Sequence, residues 1–369
     1  MKKLTHFAIL ATCIFAAAPF SPAYGEVKDN VWGKMPDGRE VRLFTLTNAK
    51  ETRVRLAEYG ALLVSIETPD RNGETGNITL SYDSLAEALQ GGVFGSVIGR
   101  FANRISGGGF RIDGVRYDLE TANPKTGVHI HGGKNGFHRQ LWKGESAETE
   151  EGASVTFHLS SPDGEEGYPG NVVVSATYEL TDNNTLRITY RGTTDQKTPL
   201  NLTNHAYFNL SGTGDISGHI LELESVERLA INEQKIPTGE LVPVVDTPFD
   251  LRKPTRLGDR LPKLEGGGYD HCFVIPQLSI ANGPTKFATL TDPESGRVMH
   301  VATTKPGVQI YTANHFKGEP FPKWGGICFE TQFYPDSPNQ KRFPDSILVP
   351  GQTYRHITEF QFDVAKPAQ

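Results

Sequence analysis

Cysteine is scarce here: three in 369 residues, with methionine and tryptophan equally rare at three each. So few cysteines exclude a disulfide framework as the source of stability. No basic block stands out and the formal net charge is −6, which argues against a nucleic-acid groove or a surface for anionic membranes. No long apolar run follows residue 25, so nothing beyond it reads as a membrane-spanning helix. Charged residues make up 22% and hydrophobic residues 37%, a balance that excludes a disordered chain. What is plentiful is punctuation, with 39 glycines and 24 prolines. Such a turn-rich composition leans toward an all-β fold.

The first 25 residues read as an address. Lys2 and Lys3 form a positive start, Phe7 to Phe20 is apolar but short of a bilayer span, and Ala23-Tyr24-Gly25 has small residues at both ends. Together they predict a secretory signal peptide cut after Gly25, with residues 26–369 as one domain in the periplasm or outside a bacterial cell. Pro19 and Pro22 argue against a membrane anchor, and Thr12 before Cys13 argues against a lipoprotein site. Only Cys272 and Cys328 would then remain. Each sits in a strand-like run and reads as a buried free thiol, with a bridge left open.

Strand signals recur along the rest of the chain: Val41 to Leu46, Thr52 to Leu56, Ala153 to Leu159, Val172 to Leu180, Leu186 to Tyr190 and Leu221 to Glu224. Between them lie turn dipeptides such as Asp37-Gly38, Asn72-Gly73, Asp113-Gly114 and Asp163-Gly164. Asp182-Asn183-Asn184 reads as a hairpin turn, and only Ser84 to Leu89 looks helical. Many short strands in one unbroken chain predict a large β-sandwich or barrel.

Four segments depart from a plain sandwich because they line one strand face with polar groups. In Leu200 to Leu210, a period of two sets Asn201, Thr203, His205, Tyr207 and Asn209 on one face. Uncharged hydrogen-bonding groups in a row suit a hydroxylated ligand. In Ile327 to Phe333, Glu330 and Gln332 oppose Ile327, Phe329 and Phe333, and partial desolvation should raise Glu330 toward the range of a useful base. Asp270 opens a strand after Gly266-Gly267-Gly268, either as a turn residue or as an acceptor for ligand hydroxyls. The fourth runs from Gly99 to Trp142. It offers Arg100, Arg104 and a His129-x-His131 pair on one strand face. No Cys or carboxylate nearby has ligand spacing, so no metal is expected. His131, before two glycines, could instead reach a ligand, and the motif does not say which arginine faces a pocket.

These segments in this order resemble the galactose mutarotase (aldose 1-epimerase) family. The likeness runs from about residue 40 to 362. It rests on Gly99-Arg100-Phe101-Ala102-Asn103-Arg104-Ile105, His131-Gly132-Gly133 with Gly136-Phe137 and Trp142, Gly164-Glu165-Glu166-Gly167-Tyr168-Pro169-Gly170, Thr203-Asn204-His205-Ala206-Tyr207-Phe208-Asn209-Leu210, Ile236-Pro237-Thr238-Gly239, Tyr269-Asp270-His271, Pro306-Gly307-Val308-Gln309 and Glu330-Thr331-Gln332 with Pro335-Asp336. The resemblance implies a β-supersandwich that interconverts the α and β anomers of free aldoses such as D-galactose and D-glucose. It implies His205 as acid, Glu330 as base, and sugar contacts at Asn103, Arg104, His131, Tyr207, Asp270 and Gln309. It implies no metal and no organic cofactor, and leaves the oligomeric state open.

The chemistry suits these groups. Opening a hemiacetal takes a proton from the C1 hydroxyl and delivers one to the ring oxygen. A base of raised pKa and an imidazole titrating near its ordinary value would serve at neutral pH. Three rivals share the residues: a glycoside hydrolase using Asp270 and Glu330, a sugar-phosphate mutarotase, and a non-catalytic sugar-binding module.

Overall fold

The computed structural model describes residues 25–120, 124–149, 151–276 and 283–365. The expected leader, residues 1–25, lies outside this range but for Gly25. The regular structure of the described chain is nearly all strand. A nine-stranded antiparallel sheet is built around the meander Lys143–Thr149, Gly152–Ser161, Val172–Thr181 and Thr185–Thr194, continued by Tyr354–Val364 and Arg297–Thr303. The meander follows from period-two patterning. Val172, Val174, Ala176, Tyr178 and Leu180 are buried on one strand and Leu186, Ile188 and Tyr190 on the next. In register, Leu180 faces Leu186 and Tyr178 faces Ile188.

The turns are where the sequence reading put them. Asp182-Asn183-Asn184 joins two of these strands, with Asn184 at φ 73°. Asp113 and Gly114 both have positive φ, 50° and 85°, as a two-residue hairpin between Gly109–Ile112 and Val115–Asp118 requires. The short helix Leu85–Gln90 begins at Ser84, whose hydroxyl accepts the Glu87 N–H.

A six-stranded antiparallel sheet carries the residues of interest. Its order is Tyr207–Phe208, Ile327–Gln332, Gly307–Tyr311, Asp270–Val274, Glu227–Ile231 and Pro237–Pro243. Phe208, Ile327, Phe329, Val308, Ile310 and Phe273 belong to the same buried cluster as the nine-stranded sheet's Phe360 and Val301. Phe208 packs on Phe360 with ring centroids 4.9 Å apart. Strand alternation then sends Tyr207, Cys328, Glu330, Gln309, Asp270 and Cys272 to the other face. Cys272 and Cys328 are both free and buried.

One expected strand is broken. Leu200 to Leu210 forms two two-residue pairings, Thr203–Asn204 with Val97–Ile98 and Tyr207–Phe208 with Ile327 and Cys328, and single bridges from Asn201 to Phe101 and from Phe208 to Thr79. Its polar residues are not one ligand-facing row. Asn201 accepts the Phe333 N–H and the Lys305 ammonium, Asn209 donates to the Gly325 carbonyl, and Thr203 is buried. Backbone groups in irregular segments need partners, and these side chains supply them.

Candidate active site

Three adjacent strands set the carboxylates. Glu330 lies directly opposite Gln309, and Gln309 directly opposite Cys272. Asp270, two residues before Cys272, is therefore diagonal to Gln309, whose Nε2 donates to Asp270 Oδ1 at 2.7 Å. Next along the sheet, Cys328 opposes Tyr207.

Two loops close over this face. Asn103 and His131 both adopt left-handed backbone, at φ 64° and 52°. They are locked together: the His131 N–H donates to the Asn103 carbonyl at 2.9 Å, and the Asn103 N–H donates to His131 Nδ1 at 3.2 Å. Gly132, at φ 80°, passes so near Gly99 that an added Cβ would meet its carbonyl oxygen at 1.8 Å. Arg104 donates to Asn103 Oδ1 at 3.2 Å and reaches Asp270 Oδ2 at 4.0 Å. Asp336 holds this loop from behind, accepting the N–H and hydroxyl of Ser106, each at 2.9 Å, while its own N–H donates to the Arg104 carbonyl.

His205 sits at the floor. Its N–H donates to the Ser96 carbonyl, its carbonyl accepts from Gly95, and the neighbouring Asn204 is pinned by Tyr178 and Gly95. The imidazole Nε2 stands 3.5 Å from Glu330 Oε1, and Nδ1 stands 3.5 Å from Cys328 Sγ. Its ring centroid is 5.3 Å from His131 and 5.1 Å from Tyr207. His205 and Glu330 are 4% and 2% exposed, whereas the side chains of Arg104 and Asp270 keep 19% and 14%, so the pair lies below a more open rim.

Burial dominates the electrostatics. Glu330 is pushed up to about 8 by desolvation, with Asp270 adding to the rise and Arg104 opposing it. His205 is pushed down to about 4 by desolvation, opposed by its own carbonyl and by Asp270. The expectation of an imidazole near its ordinary value is thus corrected. An enclosed ring loses the hydration that favours its cation. His131 is also held well below its ordinary value, by burial and then by His205 and Arg104.

The structure brings together all eight expected site residues: Asn103, Arg104, His131, Tyr207, His205, Asp270, Gln309 and Glu330. It also separates the two arginines. Arg100 is buried and structural, donating to Ser161 Oγ and to the carbonyls of Ser161, Pro162, Pro169 and Gly170. The expected shared face of His129 and His131 is not formed. The strand ends at Ile130, and His129 turns away to donate to the Glu120 carbonyl and pack on Tyr168. Cys328 against His205 was not anticipated, although its place two residues before Glu330 on one strand was the available signal. Ligand-capable atoms of His131, His205 and Glu330 lie within 4.8 Å of one another. Yet His131 Nδ1 already accepts the Asn103 N–H, so a neutral ring carries its proton on Nε2 and has no lone pair free for an ion. A depression of about 410 Å³ lined by Phe333, Tyr354 and His356 is separate, and its acidic Asp345 accepts the Ile347 N–H.

Buried carboxylate and imidazole beneath hydroxyl-binding groups can exchange protons with a polyhydroxylated ligand. Comparison with known proteins agrees in kind. The Aldose 1-epimerase family profile matches residues 42–361. Galactose mutarotase of Homo sapiens is 41% identical over 346 residues, covering 91% of this chain and 98% of the relative. Aldose 1-epimerase of Escherichia coli K12 is 36% identical over 343 residues, covering 89% and 96%. The crystal structure of galactose 1-epimerase from Lactobacillus acidophilus superposes with a TM-score of 0.82 at 26% identity, covering 93% and 100%.

Proposed function

Because the chain belongs to the aldose 1-epimerase family, we propose that His205 and Glu330 are its acid–base pair and that Asn103, Arg104, His131, Tyr207, Asp270 and Gln309 hold the sugar. The activity is that of an aldose 1-epimerase, interconversion of the α and β anomers of free aldoses. The observation that carries the assignment is the 3.5 Å contact of His205 Nε2 with Glu330 Oε1 on a buried floor.

In ring opening, Glu330 takes the C1 hydroxyl proton while imidazolium His205 protonates the ring oxygen. The C5 oxygen leaves C1, which becomes an aldehyde. Rotation about C1–C2 presents the other face, and closure runs the two transfers backward. The low affinity of His205 for its proton makes the imidazolium a strong donor to a weakly basic ether oxygen. Asp270 accepts sugar hydroxyls, Arg104 and the Nε2–H of His131 donate to them, and Gln309 fixes Asp270. These contacts place C1 and the ring oxygen between the two catalytic groups. Galactose is the first aldose to test, since the human relative is a galactose mutarotase.

Exchange between anomers, followed by ¹H NMR on D-galactose, D-glucose, galactose 6-phosphate and an aryl galactoside, tests the reading. The expected result is faster exchange of free galactose or glucose with the aryl galactoside intact. Hydrolysis of the galactoside, or exchange of the phosphate alone, would contradict it.

We also propose export. The features of residues 1–25 support a cleaved leader, and with it a place outside the cytoplasm, where the enzyme would equilibrate sugars before uptake or oxidation.

A further inference from the structure

The floor of the site raises a question that the roles of His205 and Glu330 leave open: where the pair keeps its proton between turnovers. Among the described residues, the buried Glu330 Oε2 has no hydrogen-bond partner. An ionised carboxylate would leave half its charge on that atom without a donor, a costly state in a closed site. Arg104 offsets that charge only in part, being directed to Asp270 and Asn103. Asp270 is a further negative charge on the same face. On the other partner, His205 Nδ1 has two acceptors close by, the Cys328 sulfur at 3.5 Å and its own carbonyl. A proton on Nδ1 therefore has partners, while Nε2 stands 3.5 Å from Glu330 Oε1.

Resting on the proposed acid–base reading, we propose that the free enzyme keeps this pair uncharged, with the proton on Glu330 Oε1 and Nε2 of His205 bare, so that it is complementary to the open-chain aldose and takes acyclic polyols as a second ligand class. The direction of both protonation shifts agrees, up for Glu330 and down for His205.

The proton balance is complete. When an open-chain aldose binds the uncharged pair, its C5 hydroxyl gives its proton to His205 Nε2 as that oxygen attacks C1. The carbonyl π pair moves to O1, which takes the proton of Glu330 Oε1. The ring form leaves behind a carboxylate and an imidazolium, and transfer from Nε2 to Oε1 restores the uncharged pair. Ring opening starts from the charged arrangement, so a proton moves from Glu330 to His205 before or during the step. Both arrangements hold the same number of protons, and a pH–rate profile cannot separate them. An alditol matches the uncharged pair: O1 accepts from Glu330, and the C5 hydroxyl donates to His205. Other groups facing the pair are His131, Tyr207 and Cys328, and burial favours the uncharged form of each.

The test is NMR of the full chain, labelled with ¹³C at glutamate carboxyls and ¹⁵N in histidine rings, at pH 7. Glu330→Gln and His205→Asn assign the signals. The expected spectrum has a carboxylic-acid shift for Glu330 and a neutral His205 ring protonated at Nδ1. An ionised Glu330 beside a doubly protonated ring, or a neutral ring protonated at Nε2, overturns the proposal. Galactitol is then tested as an inhibitor of galactose exchange, with competitive inhibition expected within about tenfold of the galactose KM. No inhibition at about a hundredfold above that KM overturns the ligand class. The same sample is assayed for mutarotation: an active enzyme with a charged pair sinks this inference alone, and an inactive one with an uncharged pair sinks the catalytic reading instead.

Discussion

A carboxyl group with no donor on one buried oxygen is a costly residue to hold, and that cost can be measured. Glu330 binds its proton more tightly folded than unfolded, rising from 4.5 to about 8. Between those values the folded state holds more protons than the unfolded one, so stability from this group is full below about 4.5 and is lost as pH rises through about 8. Glu330→Gln removes the titration. Relative to wild type, the variant should gain stability in thermal melts as pH goes from 5 to 8.5, by about the free energy that several pKa units represent, discounted for relaxation. A constant difference across that range would show an ordinary, solvated carboxylate. Glu330 was legible because its strand neighbours are apolar, so burial followed from pattern. His205 was legible as a polar group, but its depressed basicity was not, since that depends on the loops packed over it. From the residues alone Arg100 and Arg104 could not be told apart, because so short a strand as Arg104–Ile105 gives period-two reasoning no reach, and only the family resemblance pointed to Arg104.

Elements fix how these residues meet. The row Glu330, Gln309 and Cys272 is a register effect, set by two antiparallel pairings. The covering loops are held by a mixture of backbone and side-chain bonds, Asp336 among them. Asp336→Ala should leave the Ser106 N–H and hydroxyl without their acceptor, at a cost of about 1–3 kcal/mol in chemical denaturation. Arg104, in the same loop, should lose its position, raising KM for galactose roughly tenfold with a smaller change in kcat. An unchanged KM would mean that the loop does not depend on Asp336. At this scale the meander strands, the short helix expected over Ser84 to Leu89 and the Asp-Gly turns were readable, since hydrophobic alternation and turn chemistry are local. Leu200 to Leu210 misled for a physical reason. An uncharged polar row serves buried backbone as well as it serves a ligand, and here Asn201 and Asn209 do the former.

Across the molecule, the nine-stranded and six-stranded sheets share one apolar core with a third, five-stranded sheet whose strands lie between Glu26 and Asn77, and the proposed site lies on the far face of the six-stranded one. That division was foreseeable as a β-sandwich. Which face would be roofed over was not, because the roof comes from segments far away in sequence. The leader is a separate matter of the whole chain. Expression with residues 1–369 in a Gram-negative host should yield periplasmic protein beginning at Glu26, read by N-terminal sequencing. Cytoplasmic protein that retains residues 1–25 would contradict the export reading.

The central claim is that Glu330 and His205 exchange protons with the sugar ring. Polarimetry on freshly dissolved α-D-galactose tests it most directly, using folded wild type, Glu330→Gln and His205→Asn side by side. The account expects wild type to speed relaxation to the same final rotation, and each variant to lose roughly 10²–10⁴-fold of that rate. Relaxation by either variant at the wild-type rate would contradict it.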